Sequence, residues 1–326
     1  MSVAWARGAF SGLVLLGCGA HSPAHSAQPA PGPAAVPAQT AKVEAPSTAG
    51  NTTPSAEPKA SENAGAPRPC GALDCLAFST PRAAFERVLA TGPQILAIGE
   101  AHAQEGSSNI HSSTRRFAEQ LLPLLAGKAK HLVIELLVAN CKAKTVERVA
   151  KTQAPVTEHQ AKNNQNEFLT LGKYAQRFGI EPQALTPSCA EYESVTAAGE
   201  DGVARLLGLI AQKTESSVRA LLAQPHANGE LIVTYGGALH NDLSPRPGQE
   251  GWSFGPQLAA ESHGQYVELD LIVPEFVKDT EAWRAMPWFP AFDREHLSDE
   301  TLLFRPGANS FVLIFPKTEP TPAQQR

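Results

Sequence analysis

Beyond residue 70 the chain alternates between short apolar runs of strand length and longer stretches whose apolar residues recur every three or four positions. Gln94–Ile98 (QILAI), His131–Glu135 (HLVIE), Ile180–Leu185, Glu230–Tyr235 (ELIVTY), Tyr266–Val273 and Phe311–Phe315 read as strands. Pro81–Leu89 reads as a short helix. From Ser108 to Leu125, the residues Ile110, Phe117, Leu121 and Leu124 keep helical spacing. A polar helical stretch follows the second strand. An amphipathic helix over Phe168–Phe178 comes next, closed by Gly179 as a C-cap. Val203–Leu222 carries the strongest helical pattern, with Leu206, Leu207, Ile210, Val218 and Leu221 inward. Strands alternating with helices predict an α/β fold, a mainly parallel β-sheet with helices on both faces. The last strand is a candidate for antiparallel pairing. No internal repeat is present.

Ligands of such sheets gather beyond the carboxyl ends of the strands, so the residues just after each strand carry the functional reading. The first strand ends in Gly99-Glu100-Ala101-His102, the second in Glu135, and the fourth in Gly237-Ala238-Leu239-His240. Singly, each reads equally as a helix cap or a surface histidine. Together they place two Glu and two His, distant in sequence, along one sheet edge. Glu100, His102, Glu135 and His240 form a donor set for Zn²⁺, Mn²⁺ or Fe²⁺, with room for a water. A carboxylate outside the ligand set would serve as general base.

The strings ILAIGEAH, LVIE and YGGALH resemble the ChaN-like and Tiki superfamily, to which the erythromycin esterases are related. The resemblance spans roughly residues 94–242, and the Gly-Glu-x-His spacing is closest to the ChaN-like branch. It implies an α/β fold with Glu100, His102, Glu135 and His240 as the carried-over site. It also implies metal-dependent peptidase or esterase activity, or haem binding. His111 and Arg115, four apart, would share a helix face near the site edge as candidate cofactor contacts, with Arg115 holding a substrate carboxylate or an oxyanion; a solvated basic patch with Arg116 is the equal alternative. Tyr235 is a candidate haem or substrate contact, and Asn241 and Asp242 are candidates to orient His240. No phosphate-binding glycine loop, Gly-x-Ser-x-Gly elbow or His-Glu-x-x-His is present, which disfavours nucleotide cofactors, serine hydrolase chemistry and the zincins. Three functions compete: a metal-dependent hydrolase of a peptide or ester bond, a haem-binding lipoprotein without catalysis, and an inactive surface protein.

Composition adds an address. Ten prolines lie between Pro23 and Pro69, in a stretch with no aromatic residue and no Leu, Ile or Met. It cannot bury enough apolar surface to fold. Residues 1–17 read as an export signal, with Arg7 followed by an apolar run from Gly8 to Gly17. Leu15-Leu16-Gly17-Cys18 resembles the lipobox of bacterial lipoproteins, so Cys18 is expected to carry a lipid. Residues 18–69 would then be a tether, 70–316 the folded domain and 317–326 a disordered tail. Gly19 in place of Asp points to the outer membrane rather than the inner. Four cysteines remain, and an even number in an oxidising compartment implies two disulfides. Three pairings exist; closeness in sequence selects Cys70–Cys75, leaving Cys141–Cys189. The net charge of −5 lacks the basic footprint of a nucleic-acid binder. The expected partners are a small-molecule or peptide substrate, or haem, and a membrane through the anchor.

Overall fold

Apolar runs bounded by turn residues become strands buried on both faces, and amphipathic stretches become the helices that cover them. The computed structural model describes residues 66–107, 109–224 and 230–319. The segments expected to be an export signal, a lipid-bearing Cys18, a tether as far as residue 65 and a tail from residue 320 lie outside the described residues. In chain order, β1 (Arg68–Pro69) and β2 (Leu76–Phe78) precede α1 (Pro81–Leu89) and β3 (Ile95–Glu100). Then come α2 (Ser113–Arg116), β4 (Ala129–Leu137), α3 (Ala143–Thr157), α4 (Asn164–Arg177), β5 (Glu181–Leu185) and α5 (Cys189–Ala197). They are followed by α6 (Gly202–Leu222), β6 (Leu231–Gly237), α7 (Gly255–Glu261), β7 (Tyr266–Ile272), α8 (Glu281–Arg284), β8 (Thr301–Gly307) and β9 (Ser310–Ile314).

All nine strands join one sheet in the order β1-β2-β8-β9-β7-β3-β6-β4-β5. From β9 to β5 every pairing is parallel, and from β1 to β9 every pairing is antiparallel. Helices cover both faces, as expected. On one face α1, the segment from Phe117 to Leu125 and α4 pack on Leu96, Ile98, Leu132, Val233 and Leu269. On the other, α3, α5, α6 and α7 pack on Ile95, Val133, Ile232 and Tyr266. The central strands β3, β6, β4 and β7 therefore present their carboxyl ends side by side.

Several expectations are corrected. The helix expected from Ser108 begins at Ser113, because the Ser112 hydroxyl caps it by accepting from the Arg115 N–H at 3.0 Å. It loosens to a π turn over Phe117–Leu121 and a 3₁₀ turn over Leu122–Leu125. Pro123 causes this, since it lacks an N–H and its ring crowds the carbonyl four residues back. The final strand does pair antiparallel, but with β8, whose Arg-Pro interruption hides it from the apolar pattern, while it runs parallel to β7 on its other side. The folded part starts before Cys70, since Arg68–Pro69 pairs with β2. It also runs past Pro316: the Lys317 N–H bonds the Ser298 carbonyl at 2.9 Å, and Arg116 donates to the Thr318 hydroxyl at 2.7 Å. Both expected disulfides are present, Cys70–Cys75 and Cys141–Cys189.

Candidate active site

Register brings the four residues to one place. Glu100, at the end of β3, lies opposite Gly237 of β6, while Ile134 and Tyr235 pair one strand further. Alternation along β3 sends Glu100 to the face of Ile98, beneath α2. There its carboxylate, 3% exposed, is held on both oxygens. Oε2 accepts from the Tyr235 hydroxyl at 2.6 Å and the Thr114 hydroxyl at 2.7 Å. Oε1 stands 2.8 Å from Nδ1 of His102. A carboxylate only accepts, so Nδ1 carries the hydrogen and Nε2 is the free atom of His102. His240 is arranged alike: its Nδ1 lies 2.7 Å from the Trp252 carbonyl, which leaves Nε2 free, 3.7 Å from Oε1 of Glu135. Glu135 Oε2 accepts the Gly237 N–H at 2.6 Å.

The glycines at the strand ends are required by close approach. A Cβ on Gly236 would lie 2.8 Å from the Glu135 Cβ and closer still to its carboxylate. At Gly237 the same position is 3.2 Å from His102 Nε2 and 3.6 Å from Glu135 Oε2, so a side chain from just past β3 and one from β4 meet over the end of β6. All four residues line a cleft of about 470 Å³. Its remaining walls are largely apolar and include Phe168, Leu206, Ile210, Met286 and Trp288.

Charge follows from this packing. Burial presses the His102 imidazolium down, but the hydrogen bond and charge of Glu100, with the charge of Glu135, outweigh it and raise the pKa above the ordinary value. Burial and the Glu100 charge push the Tyr235 phenol well up, so it stays protonated and donates. Burial raises the Glu167 carboxyl at the cap of α2, against a hydrogen bond from Ser112.

The secondary candidates fall elsewhere. His111 precedes the Ser112 cap and is exposed, so it shares no helix face with Arg115. Arg115 is exposed and paired with Glu119 at 2.9 Å; neither lines the cleft. Tyr235 does face the site, yet it is buried beneath it with its hydroxyl engaged by Glu100, which makes it a positioning residue rather than a haem or substrate contact. Asn241 and Asp242 do not bond the His240 ring: Asn241 donates to Ala97 and Asp270, and Asp242 accepts from the Ser244 N–H. The Trp252 carbonyl takes that role. Thr114, Glu268 and Asp270 also escaped the sequence reading. The last two carried a signal, as acids alternating with apolar residues inside a strand expected to be buried.

The ligand set expected for a divalent ion is present in kind but not assembled. Both Glu100 oxygens are taken, and among the described residues no three His, Cys, Asp or Glu side chains stand close enough to share an ion.

No protein-family model and no curated protein matches the chain. Among solved structures it is similar to the type III effector HopBA1, at 11% identity and a TM-score of 0.32, over 58% of this chain and 83% of that one. It is also similar to a Bacillus cereus protein, at 10% identity and a TM-score of 0.34, over 76% and 95% of the two chains. Likenesses this slight assign neither a family nor an activity.

Proposed function

We propose that the protein is an exported hydrolase of ester or amide bonds in ligands with an apolar body. The observation that carries this reading is the Glu100–His102 pair. Its buried carboxylate is fixed by two hydroxyls and bonded to Nδ1, which aims a basic Nε2 into an apolar cleft. His102 Nε2 takes the proton from an attacking water as that water adds to the substrate carbonyl. The resulting imidazolium is stabilised by Glu100 behind it, and returns the proton to the leaving oxygen or nitrogen. Glu135 and His240 stand beside His102 over the end of β6, where their acceptor atoms can hold the attacking water by its second proton. A divalent ion of the Zn²⁺, Mn²⁺ or Fe²⁺ class would require Nε2 of both histidines and Glu135 to draw together.

The two disulfides support an oxidising compartment. A lipid on Cys18, with the outer membrane as destination, completes the proposal. A Cys18→Ala chain released from the membrane fraction agrees with it, and one that stays membrane-bound contradicts it.

The catalytic test is hydrolysis of 4-nitrophenyl esters and aminoacyl 4-nitroanilides of graded side-chain length. Chelator-treated protein and protein with added Zn²⁺, Mn²⁺ or Fe²⁺ are assayed in parallel. Turnover that falls by about 10²–10⁴ in His102→Ala is expected, the usual share of a positioned acid–base group. No turnover under any condition, or full activity in His102→Ala, overturns the reading. A Soret band in the isolated protein without turnover transfers it to haem binding.

A further inference from the structure

Between β6 and α7 the chain from His240 to Phe254 closes on itself, with the Phe254 N–H donating to the His240 carbonyl at 2.9 Å, and forms a compact loop. Its tip reads Pro245-Arg246-Pro247-Gly248-Gln249. Pro247 in the second position and Gly248 in the third, at φ 85°, make a type II turn, closed by the Gln249 N–H on the Arg246 carbonyl at 2.9 Å. The turn sets Arg246 and Gln249 next to each other, and prolines on both sides restrict the Arg246 backbone. Both residues line the cleft, and Arg246 is its one Lys or Arg among the described residues. The same loop carries the Trp252 carbonyl that orients His240. Arg246 Nη2 donates to the Ala282 carbonyl at 3.2 Å and lies 3.8 Å from the Met286 sulfur, which holds the half-buried guanidinium against the apolar wall. Among the described residues its Nε and Nη1 have no hydrogen-bond partner, and no carboxylate forms an ion pair with it. Asp242, on the same loop, engages Oδ1 with the Ser244 N–H at 2.7 Å, and burial raises its carboxyl against the pull of the Arg246 charge. Most of the five guanidinium donors are thus unmatched within the protein.

We propose that Arg246, with the Gln249 amide beside it, is a subsite for a free carboxylate. The cleft then selects substrates in which an apolar body joins the scissile bond to a carboxylate end, as in an acyl amino acid or the C-terminus of a peptide. A carboxylate only accepts, and its two oxygens match two parallel N–H groups of a guanidinium. The planar fork gives a fixed geometry that a lysine ammonium would not. The other charged groups bordering the cleft include the acids Glu135, Asp242, Glu268 and Asp270, which repel a doubly charged phosphate more than a singly charged carboxylate. Met286, in contact with the guanidinium, and Trp288 continue from Arg246 as apolar surface for the body of the ligand. The inference rests on the proposed reading in placing the scissile bond at His102; the carboxylate subsite itself needs only that the cleft holds a ligand.

The test is calorimetric titration with hexanoate, 1-hexanol and hexylphosphonate, on the wild-type chain and on the Arg246→Gln, Gln249→Ala and His102→Ala variants. Hexanoate should bind the wild type at least about tenfold more tightly than the alcohol. That preference should vanish in Arg246→Gln, shrink in Gln249→Ala and survive in His102→Ala, which separates this claim from the hydrolytic one. The affinity for 1-hexanol should be the same in Arg246→Gln as in the wild type. If the alcohol weakens there as much as hexanoate does, Arg246 acts only as an anchor for Ala282, and the proposal is overturned. Equal binding of hexanoate and alcohol by the wild type overturns it without recourse to any variant, as does a preference that persists in Arg246→Gln. Hexylphosphonate bound more tightly than hexanoate would overturn it in favour of a phosphate site.

Discussion

Glu100→Gln should lower the pKa of His102 while leaving the fold intact. Glutamine keeps the shape of the side chain and can still accept from Nδ1, but the charge is lost. The Tyr235 and Thr114 hydroxyls, which now donate to Oε2, would face an amide nitrogen and must turn. A hydrogen bond to a charged group contributes about 1.5–3 kcal/mol and a neutral one about 1 kcal/mol. The difference, at about 1.4 kcal/mol per pKa unit, predicts a fall of roughly one unit. The assay is an NMR titration of the histidine Cε1 protons, with the His102 signal assigned by its loss in His102→Asn. Because the native pKa is raised, the stability His102 contributes is full below the unfolded value near 6.5 and disappears as pH rises through the folded value. The Gln variant should accordingly lose more stability at pH 5.5 than at pH 9. An unchanged His102 titration would refute the pairing on which the site is built.

Burial, with the charges of Asp270 and Asp242 on Glu268 and of Asp242 on Asp270, lifts Glu268 to about 8 and Asp270 to about 7, so their contribution is full below pH 4 and is lost as pH rises through 7 to 8. The urea midpoint should fall between pH 5 and 9, and a chain carrying both Asp270→Asn and Glu268→Gln should show a flatter curve; Asp242, Tyr266, Asn241, the Leu243 N–H and Ser310 are the groups that face the pair. Gly236→Ala thrusts a methyl into Glu135, so it should cost about 1–3 kcal/mol by chemical denaturation, as overpacking does, and displace that carboxylate with loss of activity. Cys141 and Cys189 are 48 residues apart, and replacing both with Ser should cost about 3–4 kcal/mol if loop entropy governs, measured by unfolding under oxidising conditions.

Much of this was legible in the chain because burial imprints pattern. QILAI, HLVIE and ELIVTY are strands within a residue or two, and the parallel fold follows from their alternation with helices. The convergence of Glu100, His102, Glu135 and His240 follows from the same alternation, since the last residues of neighbouring parallel strands must lie together. What stayed hidden depends on contacts between distant segments. The roles of Thr114 and the Trp252 carbonyl are set by where α2 and the loop before α7 land. Helical spacing alone sets Arg115 beside His111, but the Ser112 hydroxyl starts the helix and leaves His111 outside. β8 leaves no strand pattern in the sequence, because Arg305 and Pro306 break its apolar run. The acids of β7 stood in view as charges inside a buried strand, and only their cost in that position marks them.

The central claim is that His102 and His240, brought from separate strand ends, act in one site. The direct measurement is a double-mutant cycle on kcat/KM with His102→Ala, His240→Ala and the combined variant, using the best substrate from the hydrolysis panel. Residues that work as a unit lose most of their effect with the first substitution. The account predicts that the double variant is little slower than the slower single one. Losses that multiply, or a His240→Ala chain as active as the wild type, would contradict it.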